Sequence, residues 1–352
     1  MPAWLMIVFS LHPNLIQKRL YNPLPIDEVL VQPFASCLSD TGHLFVLDPS
    51  QSRIFVWDPN GNFKQAFGKR GQGPGELIEP IQIATFANKI FVWQRNGQVS
   101  EFTPGGVFLS RFLWNGPWPR RFRLLDDQKA LLNYREFNEA GKAYYHFEIR
   151  DRADHTTPVK VFHNPGFLEV QPGRNRAEFW AFMADVDIQK DSHNSYWIGF
   201  GYQKTLYQLN HLGQIVRDQT FQLSTSKPTQ QERDAIENEL VDMGNGNMVK
   251  VKNLPDMKIH TDVDKAFFTQ FFIAGNKVAF VLTDTGGSDG MGDGAAKAAY
   301  VVCRISDGAI LERGAYQLPE DSQVHYRDGH ILVFEINSKD EFDIYEASLK
   351  GL

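Results

Sequence analysis

Two cysteines in 352 residues, no basic stripe and no long apolar run are the most informative omissions of this sequence. Cys37 and Cys303 sit near opposite ends of the chain, each in a strand-like run, and read as buried free thiols. CxxC and zinc-knuckle spacings are missing. Lys and Arg number 36 against 42 Asp and Glu, giving a formal net charge of −6 with the cations scattered. Nucleic-acid binding needs concentrated cations to displace counterions, so no nucleic-acid partner is expected. The apolar run Trp4–Phe9 is too short to span a bilayer. It lacks a basic flank and a small-residue cleavage site, so neither a transmembrane segment nor a clear signal peptide is read there, and a strand is the simpler assignment. There is no G-x-S-x-G elbow and no dinucleotide fingerprint. Gly68-Lys69-Arg70-Gly71-Gln72-Gly73-Pro74-Gly75 is rich in glycine but lacks the GK[ST] ending of a phosphate loop. The loop Asp284–Gly294 fails the EF-hand spacing and reads as a hairpin tip. Histidines number 10, with no HExxH and no repeating paired spacing. Helical signals are nearly confined to residues 229–243, where Thr229 and Glu232 form a capping box and Gly244 offers a stop.

What is present is repetition. One unit runs Gly42-His43-Leu44-Phe45-Val46-Leu47-Asp48, Arg53-Ile54-Phe55-Val56-Trp57, Asn60-Gly61. A second has Ile90-Phe91-Val92-Trp93, Val99-Ser100-Glu101-Phe102 and Gly106. A third has Tyr196-Trp197-Ile198, Leu206-Tyr207-Gln208-Leu209 and Gly213. Leu44 to Gly61 is 17 positions, Ile90 to Gly106 is 16 and Tyr196 to Gly213 is 17. Chance rarely keeps two strand runs and a glycine in phase three times. Weaker units around 128–149, 277–311 and 330–345 bring the count to six. The expected fold is all-β, a six-bladed β-propeller with four-stranded blades. The blades fall roughly at 33–68, 80–113, 120–163, 179–223, 266–316 and 319–349, in a single domain over 1–352. A strand within residues 3–20 completes the last blade, which removes the exposed edges that invite aggregation.

Loop lengths then separate the two faces. Turns joining first to second and third to fourth strands are short and carry glycine or asparagine, as at Thr41-Gly42 and Asn60-Gly61. The other face receives the long connections 68–79, 134–142, 163–178, 224–264 and 283–298. Long connections are costly to order and are usually kept for binding, so this face is the expected functional one. The polar residues placed on or just before inner strands are the candidate ligand-binding set: Gln82, Arg120, Arg121, Arg123, Trp180, Asp185, Asp187, Gln270, Gln323 and His325, with Tyr202 beside them. Such a lining suits an anionic or sugar-like ligand. Hydrogen-bonded plugging of the channel is the structural reading of the same residues.

The segment from Cys37 to Leu77 adds specificity. Leu47-Asp48, Arg53-Ile54, Asp58-Pro59-Asn60-Gly61 and the Gly68–Glu76 junction resemble NHL-repeat propellers, above all the bacterial six-bladed β-propeller family. That resemblance implies the fold and export to the periplasm or cell surface. The functional reading is a non-catalytic binding or scaffold propeller, a monomer that recognises a protein, peptide or glycan on its long-loop face, with no cofactor. The alternative is a metal-dependent lactonase or hydrolase of the gluconolactonase and paraoxonase type. Its divalent cation, Ca2+, would be held by Glu79, Asp185 and Asp187. The early Glu-Gly-Pro segment of that pattern is missing here. A zinc site of the amidating-lyase kind would need several channel histidines, and only His325 is so placed.

Overall fold

The computed structural model describes residues 15–113, 121–124, 129–137, 142–151, 158–170, 177–180, 186–191, 195–201, 203–210, 214–225, 227–242, 247–254, 257–261, 265–282, 297–317, 322–327 and 330–352. They form six radial sheets, five of four strands and one of six. Blade 1 comprises Ala35–Leu38, Leu44–Asp48, Arg53–Trp57 and Phe63–Phe67, and blade 2 comprises Pro80–Phe86, Lys89–Gln94, Gln98–Phe102 and Phe108–Leu113. Blade 3 comprises Arg121–Leu124, Lys129–Phe137, Lys142–Asp151 and Pro158–Val170, extended by Ala177–Trp180 and Met257–His260. Blade 4 comprises Val186–Lys190, Tyr196–Phe200, Thr205–Leu209 and Ile215–Thr220. Blade 5 comprises Gln270–Ala274, Lys277–Val281, Lys297–Arg304 and Ile310–Gln317. Blade 6 comprises Gln323–Arg327, His330–Ile336 and Phe342–Leu349, and its fourth strand is the N-terminal Leu15–Tyr21, antiparallel to Phe342–Leu349.

The apolar runs that carry the repeat are buried on both sides. Successive side chains of a strand point to opposite faces, so Leu44-Phe45-Val46-Leu47 serves two interfaces at once. Phe45 and Leu47 pack with Ile83, Ile90 and Val92 of blade 2. Leu44 and Val46 pack with Leu332, Phe334 and Ile344 of blade 6. The same division fills the other interfaces: Phe91 and Trp93 with Ala130 and Leu132, and Leu131 and Ile149 with Ile188 and Ile198. Trp197 and Leu206 meet Phe271 and Phe280, and Phe272 and Tyr300 meet Val324 and Val333. Six interfaces, one between each neighbouring pair of blades, close the ring.

The turn glycine of the repeat has a second role beyond its turn. Gly61 adopts φ +83°, and a Cβ there would stand 2.6 Å from the Leu20 carbonyl oxygen on the outer strand of blade 6. The same position in blade 2, Gly106, is met by the Phe67 ring of blade 1, and in blade 5, Gly308 is met by the Thr220 carbonyl of blade 4. The glycine therefore lets the outer strand of one blade run against the turn of the next.

Two expectations are adjusted. Ala177–Trp180, expected to lead into blade 4, belongs to the sheet of blade 3, because it pairs with Leu168–Val170 at the overrunning end of the outer strand. The helix spans Gln230–Asn238 with the expected capping box, Thr229 accepting from the Glu232 amide and Glu232 from the Thr229 amide. It stops at Glu239, which is extended at ψ 139°, well before Gly244. Leu240–Asp242 instead pairs with Met248–Lys250, and Leu240 lies 54% exposed. Among the described residues no helix is long and apolar enough to cross a membrane.

Candidate functional site

Each inner strand begins where the connection from the preceding blade arrives, on the long-loop face. The residues at these starts therefore ring the mouth of the central channel. Gln270 and Gln323 are the first residues of their strands, and Arg121 holds the matching position in blade 3. Gln82 is brought near the same level by an irregularity: Pro80 pairs with Gln94 and Gln82 with Trp93, which leaves Ile81 bulged. A bulge of this kind re-aims the side chains beside it. Gln82, Gln270 and Gln323 are all half-buried. The Oε1 atoms of Gln270 and Gln323, and Oγ of Ser322 beside them, have no hydrogen-bond partner.

Deeper in the channel the polar groups are engaged. Ser36 Oγ and His325 Nδ1 lie 2.9 Å apart, joining blades 1 and 6, and both residues are buried. Asp187 of blade 4 is 2% exposed. Its carboxylate accepts from the Ile188 amide, from Gln189 Nε2 and, across the blade interface, from the Phe271 amide. At the far end, on the short-turn face, Lys190 closes the inner strand of blade 4. Its Nζ is 3.6 Å from the Asp40 carboxylate in the first turn of blade 1. Blades 1 and 4 are opposite in a ring of six, so this ion pair spans the channel.

The long-loop face is built up on one side. The second, third and fourth strands of blade 3 are 9, 10 and 13 residues long, against 4 for its inner strand. Tyr134–Phe137 and Ala143–His146 pair with each other beyond the end of that inner strand. The connection between blades 4 and 5 joins this projection through Met257–His260, which pairs in parallel with Ala177–Trp180. Its helix is tied down by Lys265 Nζ to Glu232 and by Thr261 Oγ1 to Glu237, while Thr225 donates to the Lys265 carbonyl. Burial alone would raise the Glu232 carboxyl; the hydrogen bonds from Lys265 and Thr229 and the Lys265 charge outweigh it and hold that carboxyl below its ordinary value. The wall thus stands over the side of blades 3 to 5.

On the opposite side the connections are compact. Asp48, fully buried, accepts from the Val31 and Gln32 amides and from Ser50 and Gln51. Burial alone would raise the Asp48 carboxyl, but those hydrogen bonds together hold it below the usual carboxylate range. Arg53 grips Glu28 through two bonds of 2.7 and 2.9 Å. In the glycine-rich junction, Glu76 accepts from the Gly73 amide while the Arg111 guanidinium donates to the carbonyls of Gln72, Gly73 and Glu76. The junction is a self-satisfied connection between blades 1 and 2.

Of the candidate residues, Gln82, Asp187, Gln270, Gln323 and His325 lie on inner strands around the channel, and Arg121 and Arg123 belong to the inner strand of blade 3. Trp180 ends the fifth strand of the blade 3 sheet, opposite His260, away from the inner strands. Arg120, Asp185, Tyr202 and the Asp284–Gly294 loop lie outside the described residues. Glu79 has φ +44° and an exposed carboxylate paired with Arg95 at 3.0 Å. Among the described residues no three His, Cys, Asp or Glu side chains converge as a metal site. Ser36, Lys190 and Asp40 were not among the sequence candidates. Ser36 could have been found as the one hydroxyl in the inner strand of blade 1. The meeting of Lys190 with Asp40 carries no sequence signal, because it depends on ring closure.

Comparison with known proteins places the fold. A family model described as a 6-bladed beta-propeller, DUF5128, matches residues 26–103, which span blade 1 and most of blade 2. The crystal structure of a Bacteroides fragilis protein inferred to be exported aligns with TM-score 0.61 at 14% identity, covering 97% of each chain. A DUF4221 family member from Bacteroides vulgatus aligns with TM-score 0.55 at 11% identity, covering 96% of this chain and 98% of its own. No curated protein sequence matches the chain. At these identities the likeness speaks for the fold. The chain is a six-bladed β-propeller whose first blade and its junction to the second carry the family's sequence pattern.

Proposed function

We propose that this propeller is a binding module that receives a protein, peptide or glycan on its long-loop face, over the channel mouth. The observation that carries the reading is the one-sided elaboration of that face. Blade 3 overruns its own inner strand, and the insertion between blades 4 and 5 is stitched to it by strand pairing and held together by the part-buried Lys265–Glu232 pair. A wall raised over one side of the mouth gives a ligand a lateral surface beside the polar floor of Gln82, Gln270 and Gln323. The engaged state of the deeper groups favours binding over catalysis: Asp187 accepts from three N–H donors, and Ser36 and His325 are bound to each other in the closed interior. The divalent-cation alternative has less support, since Glu79 is neutralised by Arg95 and Asp187 is occupied by N–H groups. Placement outside the cytoplasm belongs to the same proposal and rests on the family pattern in blade 1.

The test is a screen of the purified chain on immobilised peptide and glycan arrays, repeated with a Gln270→Leu/Gln323→Leu double variant. A ligand bound by the parent and lost by the double variant, at equal melting temperature, supports the reading. Binding that the double variant retains in full moves the site away from the mouth and counts against it.

A further inference from the structure

The two ends of the channel differ in a way that bears on what can enter. At the short-turn end the Lys190–Asp40 pair, 3.6 Å apart, bridges opposite blades. Next to it on the inner strand of blade 4, Gln189 is fully buried and bonded to Asp187. On the other side Ser36 and His325 bridge blades 1 and 6. The channel is therefore crossed by side chains below its mouth, and whatever enters from the long-loop face leaves by the same way. Such bridges favour a ligand that enters end-on from the mouth, through a chain terminus or a side group.

The mouth also has a chemical preference. Three of its described groups, Gln82, Gln270 and Gln323, are primary amides, and each offers an acceptor oxygen with two lone pairs and an NH2 with two donors. Adjacent hydroxyls of a pyranose present the complementary arrangement, one donating to the amide oxygen and one accepting from the nitrogen. The buried carboxylate below, Asp187, is already held by three N–H donors of the protein. Gln270 and Gln323 are part-exposed while their Oε1 atoms lack partners. A rotation about the terminal torsion, which is soft for glutamine, turns those oxygens to an incoming hydroxyl.

Building on the binding role proposed above, we infer that the mouth takes the terminal unit of a saccharide chain, end-on, with Gln270 and Gln323 as its hydroxyl partners. The experiment uses the full chain with gluco-, manno- and xylo-oligosaccharides of three to seven units, plus maltoheptaose against β-cyclodextrin, which has the same units and linkage but no chain end. Melting temperature and titration calorimetry are the readouts. The expected result is a rise of about 2 °C with at least one linear series. The stoichiometry is one protein per chain at every length, and the affinity changes by less than twofold beyond three units. Gln270→Leu and Gln323→Leu each weaken binding at least tenfold at unchanged melting temperature. Equal binding of cyclic and linear glucans, or stoichiometry that grows with chain length, overturns the end-on inference and leaves the binding role standing. Binding of arrayed peptides but of no oligosaccharide overturns the saccharide class alone. Binding of neither class overturns both.

Discussion

Replacing Gly61 by alanine isolates the lock between neighbouring blades. Two costs add. The residue sits at φ +83°, where an L side chain pays about 1–2 kcal/mol. The new Cβ also falls 2.6 Å from the Leu20 carbonyl oxygen and 3.5 Å from the Tyr21 Cα, both backbone atoms that cannot rotate away. Relief requires the N-terminal strand to shift, which strains the 2.7 Å bond from the Asn22 amide to the Gly61 carbonyl and the 3.0 Å bond from Trp57 Nε1 to the Asn22 carbonyl. Overpacking of this kind costs about 1–3 kcal/mol, so the total is roughly 2–5 kcal/mol. Gly275→Ala is the matched control: φ is +58° and nothing lies within 4 Å of the added methyl, so only the conformational cost remains. Urea unfolding of both variants gives the difference, and amide hydrogen exchange over Leu15–Tyr21 and Phe342–Leu349 locates it. Gly61→Ala should be at least 1 kcal/mol worse than Gly275→Ala and should deprotect those two strands first. Equal destabilisation by the two variants would refute the lock and reduce the repeated glycine to a turn residue.

Asp48→Ala strands the amides of Val31 and Gln32 and the side chains of Ser50 and Gln51; a loss of about 3 kcal/mol is expected in urea unfolding, with faster exchange at those amides. Stability should also fall in acid. Asp48, Glu232 and Glu346 have carboxyls held below their ordinary values of 3.8, 4.5 and 4.5, in Glu346 by His330, Arg19 and Lys18 against the opposing effect of burial. A depressed carboxyl contributes stability that is present above its unfolded value and is lost as pH falls through the folded one, so the urea midpoint should be level with respect to these groups above about pH 5 and decline below about 4.5. Persistence of the full midpoint to pH 3 would contradict the cited hydrogen bonds. Phe280→Ala empties a cluster in which its ring lies 4.9 Å from Phe221 and 5.0 Å from Phe268, and about 3–5 kcal/mol should be lost in the same assay. Cys303 is buried with its thiol pushed up to about 11 by that burial, so about 0.1% is thiolate at pH 8; native protein should not react with a disulfide reagent at this residue until it unfolds, as read by peptide mapping.

Some of this molecule is written locally. Runs such as Leu44–Leu47 and Lys277–Val281, apolar at nearly every position, can only be strands buried on both faces. Their recurrence in phase with a glycine in three units, together with the weaker units around them, sets blade number and order. The completing N-terminal strand follows from the same logic, since blade 6 otherwise ends with an open edge. The candidate residues at the channel were legible to the extent that they lie on inner strands, because a polar residue in an apolar strand near the axis has few other places to be. Gln82, Asp187, Gln270, Gln323 and His325 share that signal.

Other features are decided only by the closed ring. The sequence around Gly61 shows a turn; that Leu20 lies against it depends on residues 41 positions away arriving there as the outer strand of another blade. Lys190 and Asp40 are unremarkable charges in isolation, and they meet because six interfaces of fixed twist place blades 1 and 4 across one narrow axis. Ala177–Trp180 has the composition of a strand leading into blade 4. It is captured by blade 3 because the overrunning outer strand offers unpaired backbone groups that a short strand can satisfy at once. Periodicity in a strand specifies which side chains are buried; which partner buries them, and what is left facing the channel, is settled by the ring.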